Sequence, residues 1–256
     1  MHLRIAAVIL AALVVLGGGC TTVRDTPSED AMQTKQRLEK KVTRTVELDY
    51  LLFLPDGYKK SSQHKWPLML FLHGAGERGT NVQKVAAHGP PKIVKAKKDF
   101  PFVLVSPQCP DGRTWRDDEL LTLIDEMLAK HNIDPARVYV TGLSMGGYGS
   151  WSLGTEYPER FAAIVPICGG GEQIPVLLAS PQKKKALQSL GVWAFHGGRD
   201  MLVPVEESQR MTNALMRAGC KDVKLTIYPD LEHDSWTRAY EEPEIWNWFL
   251  AHKRAK

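Results

Sequence analysis

The chain has 256 residues, 43% hydrophobic and 24% charged, with a formal net charge of +4. This length and balance are those of a soluble globular protein with one sizeable core, and they exclude a chain that is mostly low-complexity. So small a charge gives no nucleic-acid footprint, and the short run Lys183-Lys184-Lys185 reads as a solvated loop.

The chain opens on Met1-His2-Leu3-Arg4, then an unbroken apolar run from Ile5 to Leu16, then Gly17-Gly18-Gly19-Cys20. About a dozen apolar residues are too few to cross a hydrocarbon core of about 30 Å as a helix. Residues 1–20 therefore read as an export signal. Cys20 after the glycines resembles the lipobox of bacterial lipoproteins, with Leu16 four residues ahead of the cysteine where three is usual. That resemblance implies lipidation of Cys20 and a membrane-anchored lipoprotein of the bacterial cell envelope. Cleavage and release, to the periplasm or beyond, is the alternative.

Residues 21–42 are polar and charged and read as a tether, with a frayed helix over residues 31–41. The domain proper spans residues 43–256. Its cysteines, Cys109, Cys168 and Cys220, are odd in number and widely spaced. They form neither a disulfide framework nor a zinc site and read as free, mostly buried thiols.

Within the domain, residues 43–54 supply one or two opening strands, closed by the turn signal Pro55-Asp56-Gly57. Short apolar runs follow at residues 68–72, 102–106, 138–141, 163–167, 192–195 and 223–228. Continuous runs of this length suit strands buried on both faces, as in a parallel sheet covered by helices. Helices fall between them at residues 118–131, 206–218 and 242–252. The first carries Leu121, Ile124 and Leu128 on one stripe and acids near its start. Pro135 marks the turn into the strand at 138–141. The pattern is α/β, one mostly parallel sheet with helices on both faces.

Gly142-x-Ser144-x-Gly146 follows the strand at 138–141 directly. A strand-to-helix elbow presents a serine hydroxyl to substrate, and glycines two before and two after relieve its crowding. The helix that follows aims its N-terminus at the place where negative charge develops. A serine also needs a base, and the order serine, acid, histidine points downstream. His233 lies in a polar loop between the strand at 223–228 and the last helix. Asp200 follows the strand at 192–195, where a carboxylate can accept the imidazole N–H. The rivals are weaker. His196 reads as a structural residue under the acid loop, Asp230 and Glu232 are too local to orient His233, and the side chain of Asp234, next door in sequence, points elsewhere. His64, His88 and His131 read as surface residues.

The loop Phe71-Leu72-His73-Gly74-Ala75-Gly76 follows the strand at 68–72. Its small residues let backbone N–H groups approach a substrate carbonyl. Ala75, or else Gly74, is one candidate donor, and Met145 is the other. No Gly-Lys-Ser/Thr and no G-x-G-x-x-G precedes a helix, so a nucleotide loop is not indicated.

Five stretches together resemble the polyhydroxybutyrate-depolymerase-like and feruloyl-esterase-like branch of the α/β-hydrolases. They are residues 72–79, 106–110 and 142–149, the segment Tyr157-Pro158-Glu159-Arg160-Phe161, and His233-Asp234-Ser235-Trp236. The resemblance implies an α/β-hydrolase fold, carboxylesterase chemistry, and neither metal nor cofactor. It implies short-chain esters or acetylated and feruloylated polysaccharides as substrates. Short connections leave little chain for a large cap domain, and Trp115 and Trp236 could offer flat surfaces to a sugar or aromatic acyl group. Three other readings stay open: a serine peptidase with the same triad, a non-catalytic surface protein keeping the fold, and a dienelactone-hydrolase role.

Overall fold

The computed structural model describes residues 33–60 and 63–254. The leader at 1–20, with Cys20, therefore lies outside the described residues. The chain divides into two units, Met1–Arg44 and Thr45–Lys256. In the first, residues 33–44 carry neither helix nor strand and are almost all exposed, so the frayed helix expected over 31–41 is not formed in its described part.

The second unit is built on seven strands: β1 Tyr50–Phe53, β2 Trp66–Leu72, β3 Val103–Pro107, β4 Ile133–Leu143, β5 Ala163–Ile167, β6 Gly191–Gly197 and β7 Val223–Tyr228. They lie in the order β1-β3-β2-β4-β5-β6-β7. Only β1 is antiparallel to its neighbour. The apolar runs are continuous because both faces of the sheet are covered. Leu68, Leu70 and Leu72 of β2 join one core and Met69 and Phe71 the other. Strand alternation thus splits one run between two cores.

Among the described residues, eight α-helices cover these faces: α1 Gly89–Ile93, α2 Asp117–Lys130, α3 Met145–Glu156, α4 Ile174–Leu177, α5 Pro181–Ser189, α6 Glu206–Arg217, α7 Trp236–Glu241 and α8 Glu244–Ala251. Buried residues of α2 to α6 join the core of Leu68, and those of α7 and α8 join that of Met69. Helix α2 starts with Asp117, Asp118 and Glu119 against its positive end and ends on Lys130. It buries Leu120, Leu123, Ile124 and Met127, while Leu121 and Leu128 are only half-buried. The stripe therefore lies one residue from the expected one. Burying each such side chain contributes roughly 1.5–3 kcal/mol.

Other expectations are corrected as well. Lys183, Lys184 and Lys185 lie in α5, which Ser180 starts by accepting the Lys183 N–H. Strand β4 starts before Pro135, and its pairing with β2 shifts register between Trp66 and Leu68. Helix α7 occupies residues read as loop. Cys109, Cys168 and Cys220 are free and buried. Among the described residues, no helix is long and apolar enough to cross a membrane.

Candidate active site

Strand β4 ends at Leu143 and α3 begins at Met145, so Ser144 alone makes the turn between them. Its φ of 52° and ψ of −116° cost a non-glycine residue roughly 1–3 kcal/mol and persist only where the surroundings hold them. They do. Ser144 N–H donates to Ile167 O at 3.0 Å, and Ser144 O accepts from Tyr148 N–H at 3.0 Å. A Cβ at Gly146 would overlap the Leu72 carbonyl, and one at Gly142 would lie 2.5 Å from Gly146 O. The turn closes only with glycine at both places.

His233 stands in the loop between β7 and α7. Its Nε2 is 2.9 Å from Ser144 Oγ, and its Nδ1 is 2.7 Å from Asp200 Oδ2. Asp200, just after β6, has a fully buried side chain, and its Oδ1 accepts the N–H groups of Leu202 and Val203, each at 2.9 Å. A carboxylate accepts, so the proton sits on Nδ1 and Nε2 is left to accept from the serine. Such a chain can deprotonate a hydroxyl and stabilise the imidazolium that results. The rivals have other partners. Asp230 pairs with Arg238 at 3.2 Å, Asp234 accepts from Thr237 N–H at 3.1 Å, and Glu232 is exposed. His88 and His131 are half-buried, deeper than expected.

His73 and His196 are both buried at strand ends. His73 Nε2 accepts the Cys109 N–H at 2.9 Å, so its Nδ1 carries the proton and donates to Gly74 O at 2.6 Å. Burial holds its pKa below the ordinary histidine value, which keeps the ring neutral. In a trans peptide the C=O and N–H point to opposite sides. Gly74 O faces His73, so the Ala75 N–H is turned away from it, at the start of the short 3-10 turn Ala75–Glu77. Gly74 itself lies against Leu143, the residue before Ser144. Met145 heads α3, where a first-turn N–H has no partner inside the helix.

A groove of about 570 Å³ opens at Ser144 and runs along α3, walled by Thr114 and Trp115 on one side and by Gly171, Glu207 and Arg210 on the other. Trp115 is fixed there, its Nε1 donating to His73 O at 3.2 Å. Trp236 does not line this groove. Its ring meets His233 edge-on at 5.4 Å and borders a separate pocket of about 240 Å³ with His88 and Tyr240. Trp236 thus borders a different pocket from Trp115 while still touching His233.

Sequence reasoning missed Tyr148, Ser152, Glu207 and Arg210. The first two had a signal, since residues four and eight beyond Ser144 share its side of a helix. Burial, then the Glu207 carboxylate, pushes the Tyr148 pKa up. Ser152 Oγ donates to Asp117 Oδ2 at 2.8 Å, and burial pushes the Asp117 pKa up. Glu207 is paired with Arg210 at 2.5 Å. The groove wall thus carries hydroxyls and charge beside aromatic rings.

Cys168, Asp200 and His233 present ligand-type atoms within 4.8 Å of one another. Burial raises the Cys168 thiol to about 12, however, and His233 Nδ1 is engaged by Asp200. A protonated thiol beside an occupied imidazole is a poor metal donor set.

Residues 100–243 match the phospholipase/carboxylesterase family. Among curated proteins, the chain is 32% identical over 121 residues to the poly(3-hydroxyalkanoate) depolymerase C of Paucimonas lemoignei, covering 41% of this chain and 28% of that one. It is 31% identical over 182 residues to a bifunctional acetylxylan esterase/xylanase of Neocallimastix patriciarum, covering 67% of this chain and 25% of that one. It thus matches about a quarter of the length of these relatives. Among solved structures, a thermostable esterase matches with a TM-score of 0.66 at 33% identity, over 82% of this chain and 60% of that one.

Proposed function

The chain belongs to the phospholipase/carboxylesterase family of α/β-hydrolases, and from that membership and the site's geometry we propose that it is a serine carboxylic ester hydrolase. The observation that carries the reading is the chain of contacts from Ser144 Oγ through His233 to Asp200, at 2.9 and 2.7 Å, at the head of the groove.

In this mechanism His233 Nε2 takes the Ser144 proton as Oγ attacks the ester carbonyl, and Asp200 stabilises the imidazolium. The negative oxygen of the tetrahedral intermediate accepts from the N–H groups of Met145 and Ala75, and each such donor contributes about 3–4 kcal/mol. His233 then returns its proton to the departing alcohol oxygen, leaving an acyl group on Ser144. Water, deprotonated by the same imidazole, clears the acyl-enzyme and releases the acid.

The substrate class follows from the groove. Its hydroxyls, its Glu207–Arg210 pair and the Trp115 face suit a compact or polar acyl ester over a long alkyl chain, which would strand the charged pair. Short-chain esters and the acetyl or feruloyl esters of polysaccharides are such substrates, and the acetylxylan esterase relative supports this. The leader at 1–20 and Cys20 support an exported protein held at a membrane by lipid.

The test is turnover of 4-nitrophenyl esters from acetate to laurate, methyl ferulate and acetylated xylan, with Ser144→Ala alongside. Turnover of the short and polar esters, lost by about 10⁵-fold or more in a folded Ser144→Ala protein, is the expected result. Equal turnover by the variant, or faster cleavage of peptide amides than of esters, would overturn the reading.

A further inference from the structure

The histidine outside the triad touches its carboxylate. His196, at the end of β6, is fully buried, and its Nε2 stands 2.8 Å from Val203 O and 3.4 Å from Asp200 Oδ2. Asp200 Oδ2 is the same oxygen that faces His233. On the other side of the ring, Nδ1 lies 2.7 Å from Ser208 Oγ in α6. Val203 O can only accept, so Nε2 bears the proton of a neutral ring and Nδ1 must accept the Ser208 hydroxyl proton. That hydroxyl has one proton to give, and the 3.2 Å approach of Ser208 Oγ to Gly169 O is the longer of its two contacts.

We propose that His196 is a positioning residue for the reaction. Its Nε2–H, oriented by Ser208, is shared between Val203 O and Asp200 Oδ2 and tempers the pull of that carboxylate on His233. The inference rests on the triad reading above. Three observations carry it. Loop and carboxylate are tied to the same N–H, because Val203 also donates its own N–H to Asp200 Oδ1. The ring has no route to solvent, and burial holds its pKa below the ordinary value, so it remains a neutral donor. The carboxylate then receives two N–H bonds at Oδ1 and two partners at Oδ2, filling its acceptor sites.

The consequence for His233 has a sign. A carboxylate relieved of one donor is a stronger partner for the imidazolium, so removing the His196 N–H favours the protonated His233 ring. The groups facing His233 are Asp200 from the loop after β6, Cys168 from the end of β5 and Ser144 from the elbow. Those facing His196 are Asp200 and His233. Cys168, raised to about 12, carries no charge in the range of interest.

The test compares His196→Asn with His196→Gln in the full chain, reading the pH profile of kcat/KM with an ester the wild type turns over. His196→Asn cannot reach with a donor to the Nε2 position. It is expected to move the acid limb up by about half a pH unit and to lower kcat by about tenfold. His196→Gln, whose amide can reach, recovers most of both. Folded variants with an unmoved acid limb beside an active wild type would overturn the proposal. An inactive wild type, or one indifferent to Ser144→Ala, would instead sink the triad reading. Should neither variant fold, nitrogen NMR of the wild-type ring decides. An Nε2–H tautomer that holds from pH 5 to 8 supports the proposal, and an Nδ1–H tautomer or a titrating ring overturns it.

Discussion

Ser144 and Asp200 sit at opposite ends of one imidazole, yet they are held there by different means. The serine is fixed by backbone. Its strained φ, the N–H to Ile167 O, and the contact of Gly146 with the Leu72 carbonyl leave no side chain in charge of where the hydroxyl stands. The acid loop has a close approach of its own, Gly197 against the Glu232 carbonyl. Its carboxylate, however, is placed by N–H donors from Leu202, Val203 and His233, with His196 nearby. The first half is set by steric exclusion and the second by hydrogen bonds. A sterically set half breaks when an atom is added, and a hydrogen-bonded half breaks when a donor and an acceptor are exchanged.

Two substitutions test this division. Asp200→Asn keeps an oxygen for Leu202 and Val203 but turns an NH₂ toward His233, favouring the wrong tautomer. Turnover is expected to fall by about 10⁴-fold, with the melting temperature close to the wild type. Gly146→Ala should act the other way, with folding lost first. Thermal or urea unfolding should show a loss of about 3 kcal/mol or more, because the obstructing atoms are backbone and cannot swing aside. If Asp200→Asn unfolded the protein, or Gly146→Ala left its stability intact, the contrast between the halves would fail.

A smaller effect belongs to both halves. His73, at the end of β2, and His196, beside the acid loop, both have pKa values lowered by burial from 6.5. In the unfolded chain they take up protons near that value, and in the folded one only at lower pH. Their contribution to stability is therefore present above about pH 6.5 and is lost as pH falls toward the folded-state values. Melting temperature should decline between pH 7 and pH 5, and less steeply in a folded His73→Asn protein. A slope that this substitution leaves unchanged would remove His73 from the account.

The same division explains what could be read from the sequence. Steric requirements are local, so Gly142-x-Ser144-x-Gly146 after a buried run marked the elbow. The apolar run at 163–167 matches β5 residue for residue, because a strand covered on both faces leaves no polar alternation to blur its ends, whereas β7, at the sheet edge, keeps the span 223–228 with Lys224 and Ile227 exposed. Hydrogen-bonded and packed features depend on neighbours far along the chain. Ile124 belongs to two overlapping apolar stripes on α2, and only the sheet beneath decides for Leu120 and Met127 over Leu121 and Leu128. Helix α5 buries Leu187 alone, so its lysines show no period. The groove wall at Glu207 and Arg210 becomes visible only once β5 and β6 are neighbours. Nothing local says which side of His233 the Trp236 ring takes.

The jam between Gly146 and the end of β2 also bears on how this scaffold could be retuned. The start of α3 meets the end of β2 backbone to backbone, so the spacing between Met145 and the chain leading to Ala75, the two donors proposed above, cannot be changed by side-chain substitution. Laboratory redesign of selectivity therefore has to work by replacing the side chains that wall the groove, Trp115 and the Glu207–Arg210 pair. Those positions can be varied widely while the catalytic spacing stays constant.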